Sequence, residues 1–271
     1  MVVTAPLTNT EPETLTQVFN EAFSKYEVPI HMSQEQFNAH THALGYSALD
    51  SIGLFDDSRL VGFVLVARRE GTAYDAGTGI IPSYQGKGYS HLLIDATLSH
   101  VKKRTVTSFF LEVIDTNERA KNLYLSHGFS ITRKLHCYQV KKDLLIGSSS
   151  VELIPQDSVE IPLDECTPSW QNSKQSIERG SATCYTIMYN AIKRGSLCLN
   201  PDKGSIAQIY IEPQFRRQGF AKQAIIKARD LCEAPSLGMI NVDERCTSLH
   251  GLLTSLGFSL LLTQSEMVHT L

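Results

Sequence analysis

The run Gln85-Gly86-Lys87-Gly88-Tyr89-Ser90, in the first half of the chain, has the residue types to hold an anion. It follows a strand-like segment ending Ile80-Ile81-Pro82 and opens a helix-like segment with Tyr89, Leu92, Leu93 and Ala96 on one face. Glycine lets the backbone turn its N–H groups towards a ligand with no Cβ in the way. A helix N-terminus adds unpaired donors and a partial positive charge, which together suit a phosphate. Lys87 contributes a mobile cation. The same spacing recurs in Arg216-Arg217-Gln218-Gly219-Phe220-Ala221, with more positive charge from Arg216, Arg217 and Lys222. Two other phosphate loops do not fit. A Walker loop, G-x-x-x-x-G-K-[ST], would begin at Ile81 and end at Gly88, and a dinucleotide fingerprint would need glycine where His91 stands.

The recurrence extends beyond the turn. Gly88 and Gly219 lie 131 residues apart, and the pairs Gly128-Phe129 and Gly257-Phe258 lie 129 apart. Two landmarks with nearly one shift indicate that a single unit occurs twice. The boundary falls at Gly147-Ser148-Ser149-Ser150, dividing the chain into domains 1–145 and 146–271. In the first, Thr10-x-x-Glu13 and Ser33-x-x-Gln36 read as capping boxes of two helices. Strands follow at Ser51–Phe55, Val61–Ala67 and Thr72–Ile81, then a helix from Gly88 to Lys103. Phe109–Ile114 reads as a strand, Asn117–His127 as a helix, and two short strands flank Arg133-Lys134. The second copy repeats this order from Val151 onward, with a shorter stretch before its own meander. The fold class is therefore α+β (mixed α/β).

At this point the residues resemble a known family. The pattern [Gln/Arg]-x-x-Gly-x-[Gly/Ala] on a strand-to-helix turn is similar to the acetyl-CoA pyrophosphate site of GCN5-related N-acetyltransferases, the GNAT superfamily. Asn117-x-x-Ala120-x-x-x-Tyr124-x-x-x-Gly128-Phe129 resembles that family's second signature. Ser90 departs from the usual Gly or Ala but is small. The resemblance covers nearly the whole chain, taken twice, as in tandem members. It implies two GNAT-like domains, each a twisted mixed sheet flanked by helices, with acetyl-CoA as cofactor and an acetyl group moved to an amine by direct attack.

The resemblance also implies roles. Backbone N–H groups from Gly86 to Ser90 would hold the pyrophosphate, with Gln85 beginning the motif. The strand end at Ile80 and Ile81 would bind the pantetheine arm, with a main-chain N–H near Ile81 facing the thioester oxygen. Tyr124 would protonate the departing thiolate, and Asn117 would touch the cofactor or cap its helix. Glu112 and Asp75 are the base candidates, although either would also serve as an outward, solvated strand residue. Tyr124 equally suits a core position. The shift sends Tyr124 to Leu253 and Asn117 to Cys246, so the second copy loses the acid and keeps only a possible second cofactor site at Arg216–Ala221. Two other readings stay open: a non-catalytic acyl-CoA-binding or regulatory protein, and activity residing in the C-terminal copy.

The totals fit this picture. Lys plus Arg number 25 against 28 Asp plus Glu, a net charge of −3 that disfavours a nucleic-acid partner. No apolar run reaches membrane-spanning length, and no metal is expected. The six scattered cysteines suggest reduced, buried thiols in a cytoplasmic protein. The acceptor would be a small-molecule or peptide amine, chosen around Val28–Met32 and in the helix Gln34–Leu44, and the protein a monomer or homodimer.

Overall fold

A computed structural model describes residues 1–25, 30–156 and 166–271, so Val28 and Pro29 of the expected acceptor loop lie outside the described residues. The chain runs β1 (Val2–Pro6), α1 (Pro12–Phe23), α2 (Gln34–Leu44), β2 (Ile52–Asp56), β3 (Arg59–Arg69), β4 (Thr72–Ile80), α3 (Tyr89–Lys102), β5 (Ser108–Ile114), α4 (Glu118–Ser126) and β6 (Ser130–Lys141). It continues through β7 (Glu152–Gln156), α5 (Lys174–Arg179), β8 (Thr183–Tyr189), β9 (Ile192–Asn200), β10 (Ser205–Ile211), α6 (Phe220–Leu231), β11 (Ser236–Asp243), α7 (Thr247–Ser255) and β12 (Ser259–Thr270). The mixed α/β class and the twofold repeat of the element order are both present. None of the described helices is long and apolar enough to cross a membrane.

The first of the two units is not contiguous in sequence. One comprises Met1–Thr132 with Glu266–Leu271, the other Arg133–Ser265. The sequence boundary at 145/146 follows the repeat, whereas the sheets close differently. β6 pairs antiparallel with β11, from Ser236↔Lys141 to Asp243↔Leu135. The end of β12 lies beside β5 in the first unit's sheet. Both strands follow the Gly-Phe landmark of their copy, so each occupies the slot its counterpart would fill.

In the first unit β1, β2, β3 and β4 form an antiparallel meander, and β5 joins β4 in parallel. Leu60–Ala67 of β3 is buried without interruption, as expected of a strand covered on both faces. Phe19 of α1 packs on Phe37 of α2 at 5.2 Å and on Phe63 of β3 at 5.8 Å. The Ser33 box forms, with Gln36 N–H donating to Ser33 Oγ at 3.2 Å and Ser33 N–H to Gln36 Oε1 at 3.0 Å. The Thr10 box does not. Pro12 at the first helical position lacks an N–H and has its φ already set, and Glu11 takes the cap position. On α3, Leu92 is exposed while Leu93, Ile94 and Val101 are buried.

The second unit repeats the meander through β7, β8, β9 and β10. Four of the expected free thiols are instead paired. Cys184 and Cys198 face each other across β8 and β9 and are bonded, as are Cys166 and Cys246, 80 residues apart in sequence. Cys137 and Cys232 remain buried thiols. Scattered spacing hides such pairs because tertiary packing, in the case of Cys184 and Cys198 cross-strand register, brings them together.

Asp243 at the end of β11 is enclosed and binds Arg133 Nη1 at 2.7 Å and Arg245 Nη2 at 2.5 Å. Burial alone would raise its carboxyl, but the Arg245 side chain and backbone, then Arg133, hold it below the usual range. Replacing Arg133 by Met leaves that charge without one buried partner and should cost roughly 3–5 kcal/mol. Urea unfolding followed at Trp170, the single tryptophan, measures this within the second unit. Because the folded carboxyl is more acidic than the unfolded one, the native protein's advantage should be full at neutral pH. It should fade as pH falls below about 4.

Candidate functional site

β4 changes neighbours along its length, and the site is built around that change. It pairs with β5 only at Thr72↔Ser108, Ala73↔Phe109 and Tyr74↔Phe110, after which the two parallel strands part. The register against β3 jumps from Leu65↔Gly77 to Val66↔Asp75, so Ala76 is an extra residue in a bulge at the parting point. From there to Ile80, β4 has a ladder on its β3 side alone.

Ile81 N–H donates to the Val61 carbonyl at 3.0 Å. The expected donor near Ile81 is therefore already committed to β3. Alternation along a strand turns the N–H groups of Thr78 and Ile80 the other way, towards the opening.

After Ile81 a short 3-10 turn, Pro82–Tyr84, leads into the glycine loop. Gln85 Nε2 donates to the Ile80 carbonyl at 2.8 Å and draws the loop back over the strand end. Gly86 and Gly88 have φ of 75° and 79°, and Gly88 caps α3 in the left-handed region. A Cβ at either would meet open space, so backbone conformation rather than crowding calls for glycine. Lys87 Nζ lies 5.0 Å from the Tyr84 ring centre, and the Tyr84 hydroxyl donates to Asp56 at 2.8 Å. Tyr89 and Ser90 form the first turn of α3.

Two carboxylates meet two tyrosines at the parting point. Tyr124 on α4 donates its hydroxyl proton to Asp75 Oδ2 at 3.0 Å, and Tyr74 donates to Glu112 Oε2 at 3.0 Å. Tyr74 and Asp75 are consecutive, so their side chains leave opposite faces of the sheet. Glu112 is thus engaged on one face and Tyr124 on the other. Asn117 accepts from Ala120 N–H at 3.1 Å and caps α4, the structural half of its expected role.

Asp75 is neither outward nor solvated. Its side chain is buried, Oδ1 accepts from Gly77 N–H at 2.9 Å, and Oδ2 also accepts from the Thr78 hydroxyl at 2.6 Å. Burial pushes its carboxyl above the usual range, against the pull of Thr78, Gly77 and Tyr124. Asp75-x-Gly77-Thr78 is an Asx-turn pattern and was the available signal for this inward placement. Nothing in the spacing marked Tyr74, whose partner comes from another strand.

The second copy keeps the turn and the bulge and lacks the carboxylate–tyrosine pairs. Arg216 Nε donates to the Ile211 carbonyl at 3.1 Å, the tie Gln85 makes in the first copy. Gly219 has φ of 84°, and Arg217, in place of Gly86, has φ of 61°. β10 pairs with β11 only at Ser205↔Gly238 and also carries its extra alanine, Ala207. The shift sets Ile206, Asn241 and Leu253 where Asp75, Glu112 and Tyr124 stand, with Ile206 and Leu253 in the core. Cys246, in the place of Asn117, is held in its disulfide. A cleft of about 140 Å³ remains there, lined among others by Gln208, Tyr210, Arg216, Asn241 and Cys246. Gln218, Phe220 and Ala221 complete the turn, with Phe220 buried.

Known proteins resemble this chain in sequence over part of its length and in fold over all of it. Residues 13–129 match the acetyltransferase (GNAT) family. That match lies within the first unit and spans less than half of the chain. The chain is 29% identical over 80 residues to the [ribosomal protein bS18]-alanine N-acetyltransferase of Haemophilus influenzae, a match covering 30% of this chain and 54% of that one. Among solved structures, a tandem GNAT protein from the clavulanic acid biosynthesis pathway matches with a TM-score of 0.70 at 13% identity, over 100% of this chain and 98% of that one. A GCN5-related N-acetyltransferase from Sphaerobacter thermophilus matches with a TM-score of 0.70 at 12% identity, over 99% and 95%. These structures show the fold, which occurs here in tandem.

The raised Asp75 carboxyl gives a stability prediction of opposite sign to that of Asp243. A folded state that binds the proton more tightly than the unfolded one loses stability as pH rises through the folded pKa. An asparagine can keep the turn and carries no charge. Asp75→Asn should therefore gain stability relative to the native protein as pH rises from about 4 through and above the ordinary carboxylate range. Urea midpoints across that range measure it, and a constant difference would contradict the assignment.

Proposed function

We propose that the first unit transfers an acetyl group from acetyl-CoA to an amine, by direct attack of the amine on the thioester. The observation that carries this reading is the continuity of three features along β4 and α3. These are an opening with free backbone donors, a glycine turn at a helix N-terminus, and a hydroxyl–carboxylate pair at the base of the opening. The N–H groups of Gly86, Lys87, Gly88, Tyr89 and Ser90 suit the pyrophosphate, and those of Thr78 and Ile80 suit the pantetheine amides and the thioester oxygen. A donor aimed at that oxygen stabilises the charge it gains in the tetrahedral intermediate.

Glu112 accepts the proton of the attacking nitrogen from one face, and Tyr124 supplies a proton to the sulfur from the other. A thiol with a pKa of about 8.5 is already a fair leaving group, so the acid accelerates the step without being indispensable. The second copy has neither group and serves as a scaffold. Its cleft and basic turn support weak coenzyme binding at most. The acceptor belongs to the amines, and the H. influenzae relative puts a peptide with a free N-terminal alanine first among those to try.

Calorimetric titration with acetyl-CoA tests the cofactor. Gly88→Val should weaken binding tenfold or more, since a β-branched residue resists the left-handed conformation by about 1–2 kcal/mol and spoils the donor array. Gly219→Val should leave binding unchanged; the reverse pattern would move the activity to the second copy. Thiol release with N-terminal alanyl peptides, polyamines and aminoglycosides tests the reaction. Tyr124→Phe should lower kcat by about 10- to 100-fold with the acetyl-CoA Kd nearly unchanged, and Glu112→Gln should do so most strongly at low pH. Binding without turnover by any of these amines would favour a regulatory module.

A further inference from the structure

The acetyl-transfer reading leaves one buried acid unused. Asp75 touches the hydroxyl that the reaction would employ, and no charged side chain contributes to holding its carboxylate. Its other donors are the Gly77 N–H and the Thr78 hydroxyl, both on its own strand. From α4 it faces Tyr124, and the nearest acid on β5, Glu112, is engaged by Tyr74 on the opposite face. When Tyr124 gives its proton to sulfur, a phenolate forms about 3 Å from Asp75. If Asp75 were then ionised, two anions would face each other in a buried site, which strongly disfavours the step. A protonated Asp75 reverses this: once the Tyr124 hydroxyl turns from Asp75 Oδ2 to the sulfur, the Asp75 O–H can donate to the Tyr124 oxygen and follow the departing proton.

We propose that Asp75 is the proton store behind Tyr124: its carboxyl proton replaces the one that Tyr124 gives to the leaving sulfur. This inference rests on the acetyl-transfer reading of the same site. The nitrogen–carbon bond forms first, and the carbonyl electron pair moves to oxygen. As the carbon–sulfur bond breaks, its electron pair goes to sulfur. The Tyr124 proton then bonds to sulfur and the Asp75 proton to the Tyr124 oxygen. The products are the thiol, a neutral Tyr124 and an Asp75 carboxylate. The proton shed by the attacking nitrogen returns through solvent in the opening and restores Asp75, so no proton is gained or lost over a turnover. Asp75 touches neither substrate nor cofactor in this scheme; it is a positioning residue that acts through Tyr124.

The purely structural alternative is that Asp75 only pins the bulge at Ala76 through Gly77 and Thr78. Asparagine separates the two, because it can keep the turn and cannot lend the proton. The native protein, Asp75→Asn, Tyr124→Phe and the double variant are compared by acetyl-CoA calorimetry and by thiol release with the best amine of the panel. Asp75→Asn should keep the Kd within about twofold and lower kcat by about 10- to 100-fold. The double variant should be no slower than Tyr124→Phe alone, since both changes interrupt one relay. The native kcat should fall as pH rises through the pKa of Asp75, and that limb should vanish in Asp75→Asn.

Native kcat for Asp75→Asn, or losses that multiply in the double variant, would overturn the proposal while leaving acetyl transfer in place. A native protein that binds acetyl-CoA but turns over no amine would remove the underlying reading and this inference with it. The native pH profile decides independently if Asp75→Asn folds poorly: a kcat that stays level as pH rises excludes a neutral Asp75.

Discussion

The parting of β4 from β5 after Tyr74 is the constraint on which the rest of the first unit depends. Parallel strands in one sheet normally satisfy each other's backbone groups, and buried groups left over must find another partner. Here the ladder stops after three residue pairs while β4 runs on to Ile80. Ala76, as the extra residue of a bulge, bends the strand away, and Asp75 ties that bulge through Gly77 and Thr78. The backbone donors so released, the glycine turn beyond them and Tyr124 at their base all face one space because a single strand carries or contacts them all.

The two copies show which parts of this device are local. The glycine turn, its tie back to the strand end and the alanine bulge persist in both, with Arg216 doing in one what Gln85 does in the other. Each is set by a few consecutive residues and the helix that follows. The paired carboxylates and tyrosine are not local. Asp75, Glu112 and Tyr124 come from β4, β5 and α4, and the second copy replaces them with Ile206, Asn241 and Leu253 without disturbing the frame. Apolar Ile206 and Leu253 then enlarge the core that Asp75 and Tyr124 interrupt in the first copy.

Much of the frame is legible in the order of the residues. The strand-to-helix turn, the twofold repeat, the meander and the Ser33 box follow from periodicity and capping patterns that involve neighbours in sequence. Where those patterns mislead, a competing local feature or a distant partner decides. Pro12 displaces the Thr10 box because proline, with no N–H and its φ already set, occupies the first helical position and leaves Glu11 as the cap residue. The two short strands expected around Arg133-Lys134 are one strand, β6, whose ladder with β11 runs on to Lys141.

The sequence by itself determined the turn chemistry, the repeat and the identity of the groups able to move a proton, because residue type and spacing are enough to set these. Tertiary structure alone decided that Asp75 points inward to Tyr124, that the Ile81 N–H is spent on Val61, and that Tyr74 holds Glu112. It also decided that four cysteines pair, and that β6 and the end of β12 complete sheets outside their own repeat. The reason is common to all of these. Each depends on which strand lies beside which and in what register, and register joins residues whose separation along the chain carries no trace of the contact.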